Sequence, residues 1–468
     1  MGMRCIVSLF LLLTAAGCLT PPETPATLEE FRRAYRPSPA LSLQGKKVLT
    51  LEEAQKAVLL NNPTYRAAYD AIRAARFNYY SAWSAALPEL SVQTDVERSL
   101  KRGYDLKHPP AGIFHRADRF TTATALQATW LLFDGMEREL NILVARQDLR
   151  SSRAAKQNVK RLLLRAAAYA FYDIILAAEE KRIHQADVDF QRAALRQAEV
   201  RFANGHVSKA AVLNFQILAV KAQSAVQDAA YRETVARNAL AALLGSIHGK
   251  LPPRLELPPA EPDREETSAE RLLEYAIAHR PDLKQSKLRF ETAYYNRMKS
   301  YADFFPTIRL SGGFGFDTYA AKYGKAAYSR SYYAQPGFFY GISGEWNIFR
   351  GFQNWNLSAK WKALEEMARQ EVNTVFLEVV TEVRDAWANC RNNRRQVQLF
   401  QEIARSVQEQ RDLVYSEYQN GRETITRLNE AQSELVSAHS RLAAAQAALR
   451  KAQAQLDAAV NSRGSSLR

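Results

Sequence analysis

Cys18 is the residue whose type and setting most clearly announce a reaction. It follows Arg4, an apolar run from Cys5 to Leu13, and the small residues Thr14-Ala15-Ala16-Gly17. A basic residue, a short apolar core and a small-residue exit make residues 1–17 a secretory signal peptide, too short to span a membrane permanently. Gly17-Cys18 resembles a lipobox, in which the cysteine is diacylated and becomes the new N-terminus. Ala15 stands where lipoboxes usually carry Leu, so the alternative is ordinary cleavage near Ala16 with Cys18 a bystander. The other reactive residue types form no constellation. His108, His115, His184, His206, His248, His279 and His439 show no metal-ligand spacing and none lies beside a candidate nucleophile. Gly312-Gly313-Phe314-Gly315 is not a phosphate loop but part of a strand pattern. No catalytic residue, metal site or cofactor is expected. Met136, Met298 and Met367 are too scattered for a soft-metal relay. Three cysteines exclude a disulfide framework, and Cys390 is expected as a small packing residue on a helix.

The elements that carry these residues follow from a scarcity of breakers. There are only 19 Gly and 17 Pro in 468 residues, and 47% of the chain is apolar. That pattern points to few, very long helices. After the signal, no run approaches the ~18 apolar residues of a spanning helix. The formal charge of +15 is dispersed among carboxylates along helix faces, as solvated faces are, and does not form a nucleic-acid footprint.

The chain reads as one unit written twice. Leu51 to Val92 aligns with Ala269 to Leu310 at an offset of 218, which places Pro63 on Pro281 and Pro88 on Pro306. After a loop two residues shorter the offset is 216. Trp130, Phe133 and Gly135 then fall on Trp346, Phe349 and Gly351, and Asn204-Gly205 falls on Asn420-Gly421. The predicted organisation is a signal peptide (1–17), a lipid-anchored tether (18–49), a first repeat (50–250), a Pro-rich linker (251–267) and a second repeat (268–468). Each repeat reads as short helix, medium helix, strand, loop, strand, very long helix, turn, long helix. Pro63 and Pro281 open helices, the first running from Thr64 to Leu87. No Pro or Gly interrupts the stretches between Gly135 and Asn204 or between Gly351 and Asn420. At ~1.5 Å per residue each is a rod of roughly 100 Å that needs other rods beside it. In the last helix Leu428, Leu435, Leu442, Leu449 and Leu456 interleave with Ala431, Ala438, Ala445, Ala452 and Ala459, a coiled-coil seam.

Four strands are predicted, at about 89–98, 120–132, 307–317 and 337–348. Leu90, Val92, Thr94 and Val96 alternate with Glu89, Ser91, Gln93, Asp95 and Glu97. Phe338, Tyr340, Ile342, Trp346 and Ile348 alternate with Phe339, Gly341, Ser343, Glu345 and Asn347. Period two over ten to twelve residues with aromatics near the ends is the pattern of a membrane barrel strand. A sheet packed on a helix gives the same alternation. Strand length, and long intervening loops rich in Lys, Arg and Tyr, favour lipid. Four strands cannot close, so a barrel requires several chains.

The duplicated unit, the strand pairs ending in Trp-x-x-Phe-Asp-Gly and Trp-x-x-Phe-Arg-Gly, and the Asn-Gly turns after long helices resemble the TolC-type outer-membrane efflux family, from about Thr50 to Val460. The resemblance implies a mainly α chain with a transmembrane β portion, three copies sharing a twelve-stranded barrel continued by a periplasmic helical tunnel. It implies a homotrimeric duct in outer-membrane lipid, driven by an inner-membrane transporter. A periplasmic adaptor would grip the tips at Asn204, Gly205, Asn420 and Gly421. The family commonly places carboxylates six and nine residues after the second tip glycine, narrowing the entrance. Glu430 matches that pattern, whereas Arg427 departs from it, either pairing within the tip or making the mouth less cation-attracting. Two other readings remain: a duct for type I protein secretion, and a periplasmic coiled-coil lipoprotein scaffold.

Overall fold

A computed structural model describes residues 26, 27, 29, 30, 47–104, 114–246, 251–257, 268–323 and 335–461. The signal peptide, Cys18, nearly all of the tether and residues 258–267 of the expected linker lie outside the described residues. The elements run β1 (Val48–Thr50), α1 (Leu51–Asn61), α2 (Pro63–Ser84), β2 (Glu89–Tyr104), β3 (Phe114–Phe133), α3 (Glu137–Ala203), α4 (Lys209–Leu243) and β4 (Arg254–Glu256). They continue with α5 (Ala269–His279), α6 (Pro281–Lys299), a 3₁₀ turn (Ala302–Phe304), β5 (Thr307–Tyr323), β6 (Gln335–Glu345), α7 (Gln353–Gln419) and α8 (Ile425–Val460). The chain is mostly helical.

Breakers set the helix limits. α2 and α6 begin at Pro63 and Pro281, where the missing N–H costs nothing in a first turn. α2 stops at Ser84, three residues short of the expected Leu87; the Ala86 and Leu87 N–H groups bond Trp83 O and Ser84 O in a tighter turn ahead of Pro88. α3 and α7 are each 67 residues without interruption. Thr50 caps α1 through a capping box with Glu53.

The described chain divides into two compact units: residues 1–63, 166–260 and 397–451, and residues 64–165, 261–396 and 452–468. In the first, Phe215 of α4 and Leu428 and Ala431 of α8 pack with Ala194 and Ala198 of α3 and Val414 of α7. The leucine seam of α8 is buried at Leu428 and Leu435 and half-buried at Leu442, Leu449 and Leu456, whereas Ala431, Ala438, Ala445, Ala452 and Ala459 stay buried throughout. Small residues thus carry the close approach. This unit also holds a two-strand parallel sheet, β1 with β4, which no sequence pattern announced.

The second unit holds a four-stranded antiparallel sheet in the order β2-β3-β5-β6. Glu89 pairs with Thr129 in the first hairpin and Thr307 with Glu345 in the second. The sequence offsets of 218 and 216 convert one register into the other, so the two hairpins are equivalent residue for residue. β3 and β5 join them, with Leu126 opposite Phe314. The strands depart from the expected limits. β2 extends to Tyr104, β3 starts at Phe114 and β5 reaches Tyr323, because backbone pairing continues where side-chain alternation has faded. β6 ends at Glu345, so Trp346 and Ile348 are not strand residues as expected. β3 is paired on both sides and persists, through a bulge at Leu131–Phe133, to Phe133. Among the described residues β6 has one neighbour. In the same unit Leu272, Ala276, Leu283, Val379, Val383, Ala386, Ala459 and Val460 from α5–α8 form a core. Cys390 is buried on α7.

Candidate functional site

The sheet has two chemically different faces, set by residue parity. Even-numbered Leu90, Val92, Val96, Leu126, Phe338, Tyr340 and Ile342 are exposed, Phe338 and Tyr340 at 85% and 91%. Phe314 meets Phe316 at 4.9 Å and Phe338 at 4.7 Å between ring centroids on this face. Odd-numbered residues bring together Glu89, Asp95 and Glu97 of β2, Thr121 and Gln127 of β3, Arg309 and Asp317 of β5, and Ser343 and Glu345 of β6. An apolar face that no described residue covers, backed by a face of carboxylates and amides, suits hydrocarbon on one side and water on the other.

The strand-to-helix joints repeat the same construction. Trp130 Nε1 donates to Ala86 O at 3.0 Å, and Trp346 Nε1 to Phe304 O at 3.1 Å; the two acceptors are again 218 apart. The indole ties the strand exit to the segment arriving from the medium helix. Gly135 and Gly351 then turn with φ of 71° and 59°, followed by Met136 and Phe352, also at positive φ. Phe133 stacks edge-on against Phe305 at 6.5 Å, while Phe349 meets Phe352 at 5.5 Å.

The tips are also built alike. After α3, Gly205 N–H bonds Phe202 O (2.9 Å) and His206 N–H bonds Arg201 O (2.8 Å). After α7, Gly421 bonds Tyr418 O (3.1 Å) and Arg422 bonds Glu417 O (2.9 Å). Both are Schellman turns, with Gly205 and Gly421 at φ of 76° and 69°, and Asn204 and Asn420 end the helices. Ser208 and Thr424 cap the helices that follow, accepting from Ala211 N–H and Arg427 N–H. Arg427 Nη1 lies 3.3 Å from Glu430 Oε2, both side chains about half exposed. The two residues therefore neutralise one another on the first turns of α8. An open groove of about 670 Å³ between α4 and α8 is lined by Asn214, Leu218, Thr426, Arg427, Glu430 and Ser433, among others. Among the described residues no group of three or more His, Cys, Asp or Glu could hold a metal, and no helix is long and apolar enough to cross a membrane.

A family model described as "Outer membrane efflux protein" matches residues 55–246 and again 272–462. The chain belongs to that family. The double match falls on the two stretches related by the 218 and 216 offsets. Several solved structures share the fold of this efflux protein. A membrane protein from Pseudomonas aeruginosa aligns at TM-score 0.75 and 20% identity, over 88% of this chain and 90% of its own. The outer membrane protein VceC from Vibrio cholerae gives 0.72 and 17%, over 88% and 95%. The Campylobacter jejuni CmeC outer membrane channel gives 0.74 and 14%, over 94% and 93%. A comparison with curated protein sequences returns no match. The sequence pattern located the four strands of the sheet and the turns at Gly135, Gly205, Gly351 and Gly421. It missed a buried ionic joint around Arg161, Arg280, Asp282 and Glu382. The one available signal was an Arg-Pro-Asp sequence in the second repeat where the first has Asn62-Pro63-Thr64.

Proposed function

We propose that the chain is the outer-membrane conduit of a tripartite export system. In this reading three copies close one twelve-stranded barrel, and their helices continue it into the periplasm. The observation that carries this is the open sheet itself. Among the described residues β2 and β6 each leave one edge unpaired, and an unpaired edge in hydrocarbon costs several kcal/mol per backbone group. The repeat supplies the missing partner. The offsets that superpose the hairpins carry the β3–β5 junction onto a β6–β2 junction between copies, with Ile342 opposite Val96 of the partner subunit and Gly344 opposite Thr94 of the partner subunit. Two copies would give eight strands and an interior filled by side chains, whereas twelve leave room for water. The carboxylate-bearing face needs that water.

The remaining roles follow from this reading. Cys18 supplies a lipid anchor, and an adaptor grips the tips at Asn204-Gly205 and Asn420-Gly421. Glu430, paired with Arg427, lines the entrance with little net charge. An inner-membrane pump supplies the energy. A coiled-coil scaffold would have no use for an uncovered apolar sheet face. The direct test combines Gly344→Cys with Thr94→Cys. Oxidation of membranes should yield dimers and trimers on a non-reducing gel, and Gly344→Cys with Asp95→Cys, shifted by one residue, should yield few. Monomers alone, in detergent-extracted protein with no cross-links, would refute the shared barrel.

A further inference from the structure

Phe339 breaks the chemical rule of its own face. By parity it belongs with the polar residues: its row across the sheet is Ser91, Gln127, Gly313, Phe339. Among the described side chains of that face it is the one aromatic ring. Its place is prepared by glycine. A Cβ at Gly313 would lie 2.6 Å from Phe339 Cζ and 2.8 Å from Cε1, distances no real side chain tolerates. The ring therefore lies across the bare backbone of the neighbouring strand. Gly337 and Gly341, its neighbours along the same face of β6, would have nothing within 4 Å of a Cβ. The ring remains 44% exposed, seated on one side and open on the other. Around it on the same face stand Glu89, Asp95, Glu97, Asp317 and Glu345, with Arg309 the single described cation.

We infer that Phe339 is a specificity-determining residue of the conduit, offering an aromatic surface inside an acidic wall to aromatic organic cations in transit. The inference rests on the barrel reading, which turns this face toward the lumen. The carboxylates attract cations of any shape. The ring adds a preference that depends on shape and polarisability, through stacking and cation–π contact. Because the ring lies against Gly313 rather than standing into the lumen, it offers contact area without closing the passage. Three copies would place three such rings at one height.

The test uses the purified full-length oligomer in planar lipid bilayers, with blockers added on the side of the β2–β3 and β5–β6 loops. Tetraphenylphosphonium and tetrabutylammonium carry the same charge and are both apolar, but only the first is aromatic. The wild-type channel should be blocked by tetraphenylphosphonium at about two- to fivefold lower concentration than by tetrabutylammonium. Phe339→Leu should bring the ratio close to one while leaving the tetrabutylammonium block unchanged, and Phe339→Tyr should preserve the wild-type ratio. An equal ratio in wild type and Phe339→Leu, or its loss in Phe339→Tyr with retention in Phe339→Leu, overturns the inference while leaving the conduit intact. Absence of any channel current overturns the conduit reading and this one together.

Discussion

The two repeats solve one mechanical problem in two chemical ways. In each, the joint between the short and the medium helix meets the C-terminal end of the repeat's last helix. In the first unit Asn62 Nδ2 donates to Leu243 O at 3.1 Å, a neutral bond. In the second unit the equivalent position is Arg280, whose Nη1 donates to Ala459 O at 3.1 Å. Arg161 adds a bond to Ala458 O at 3.0 Å. Both guanidinium groups are nearly sealed, at 5% and 3% exposure, and are held by Asp282 and Glu382. Arg280 reaches Asp282 at 2.5 Å and Glu382 at 2.6 Å. Two buried cations at a helix C-terminus satisfy orphan carbonyls and match the dipole. The first repeat has an amide at this place, so the ionic version brings geometric specificity, with added vulnerability when a partner is lost.

The largest expected effect comes from breaking the ionic joint. Arg280→Met keeps volume but leaves Asp282, Glu382 and Ala459 O short of a partner. It should cost about 3–5 kcal/mol, read as a lower melting midpoint of the helical circular dichroism signal in detergent. A change as small as that of Asn62→Ala would show the two joints to be equivalent after all.

The glycine joints give the next effect. A Cβ at Gly135 would sit 2.6 Å from Ala302 O, whereas at Gly351 nothing lies within 4 Å. Gly135→Ala should cost about 1–2 kcal/mol for its left-handed backbone and a further ~1–3 for overpacking. Within the single chain, Gly351→Ala should show only the backbone part. Under the proposed closure, Ser84 of the partner subunit takes the place at Gly351 that Ala302 holds at Gly135. Gly351→Ala should therefore reduce trimer yield in cross-linking, and a wild-type yield would count against equivalent packing between copies.

Asn62→Ala removes the neutral bond to Leu243 O and should cost about 1–3 kcal/mol, read as a lower melting midpoint of the same helical signal.

The smallest effect is acid sensitivity confined to the second unit. Burial alone would raise the Asp282 carboxyl, but the Arg280 hydrogen bond and charge, the Arg161 charge and the Leu283 N–H outweigh it and hold it below its ordinary value. A carboxyl depressed in the folded state contributes stability above its unfolded pKa of ~3.9. That contribution is lost as pH falls through the lower folded value. The wild-type midpoint should fall more steeply below about pH 4 than that of Asp282→Asn. Parallel curves would remove Asp282 from the account.

What the sequence showed of all this divides by range. Pro63, Pro281, Gly205 and Gly421 act locally, so helix starts and tip turns were visible residue by residue. Period-two alternation from Glu89 to Glu97 located β2, but its extension to Tyr104 lies where the alternation fades into Lys and Arg. The end of β6 depends on a neighbouring strand rather than on Trp346 or Ile348 themselves. β1 and β4 are three residues each, below the length at which any period can be read. The ionic joint joins Arg161 to Glu382 across 221 positions, and no local pattern links them. The Arg427–Glu430 pairing was open to prediction from spacing alone, since side chains three apart on a helix are neighbours.

The small parallel pairing of Val48–Thr50 with Arg254–Glu256 has a mechanical reading. It staples the chain just ahead of the first helix to the stretch that leads from one repeat to the next. A pull arriving along the polypeptide before Val48 meets these three rungs first, and only after they shear does it reach the capped start of α1. The staple thus acts as a strain relief, shielding the helical body from tugging at the amino end.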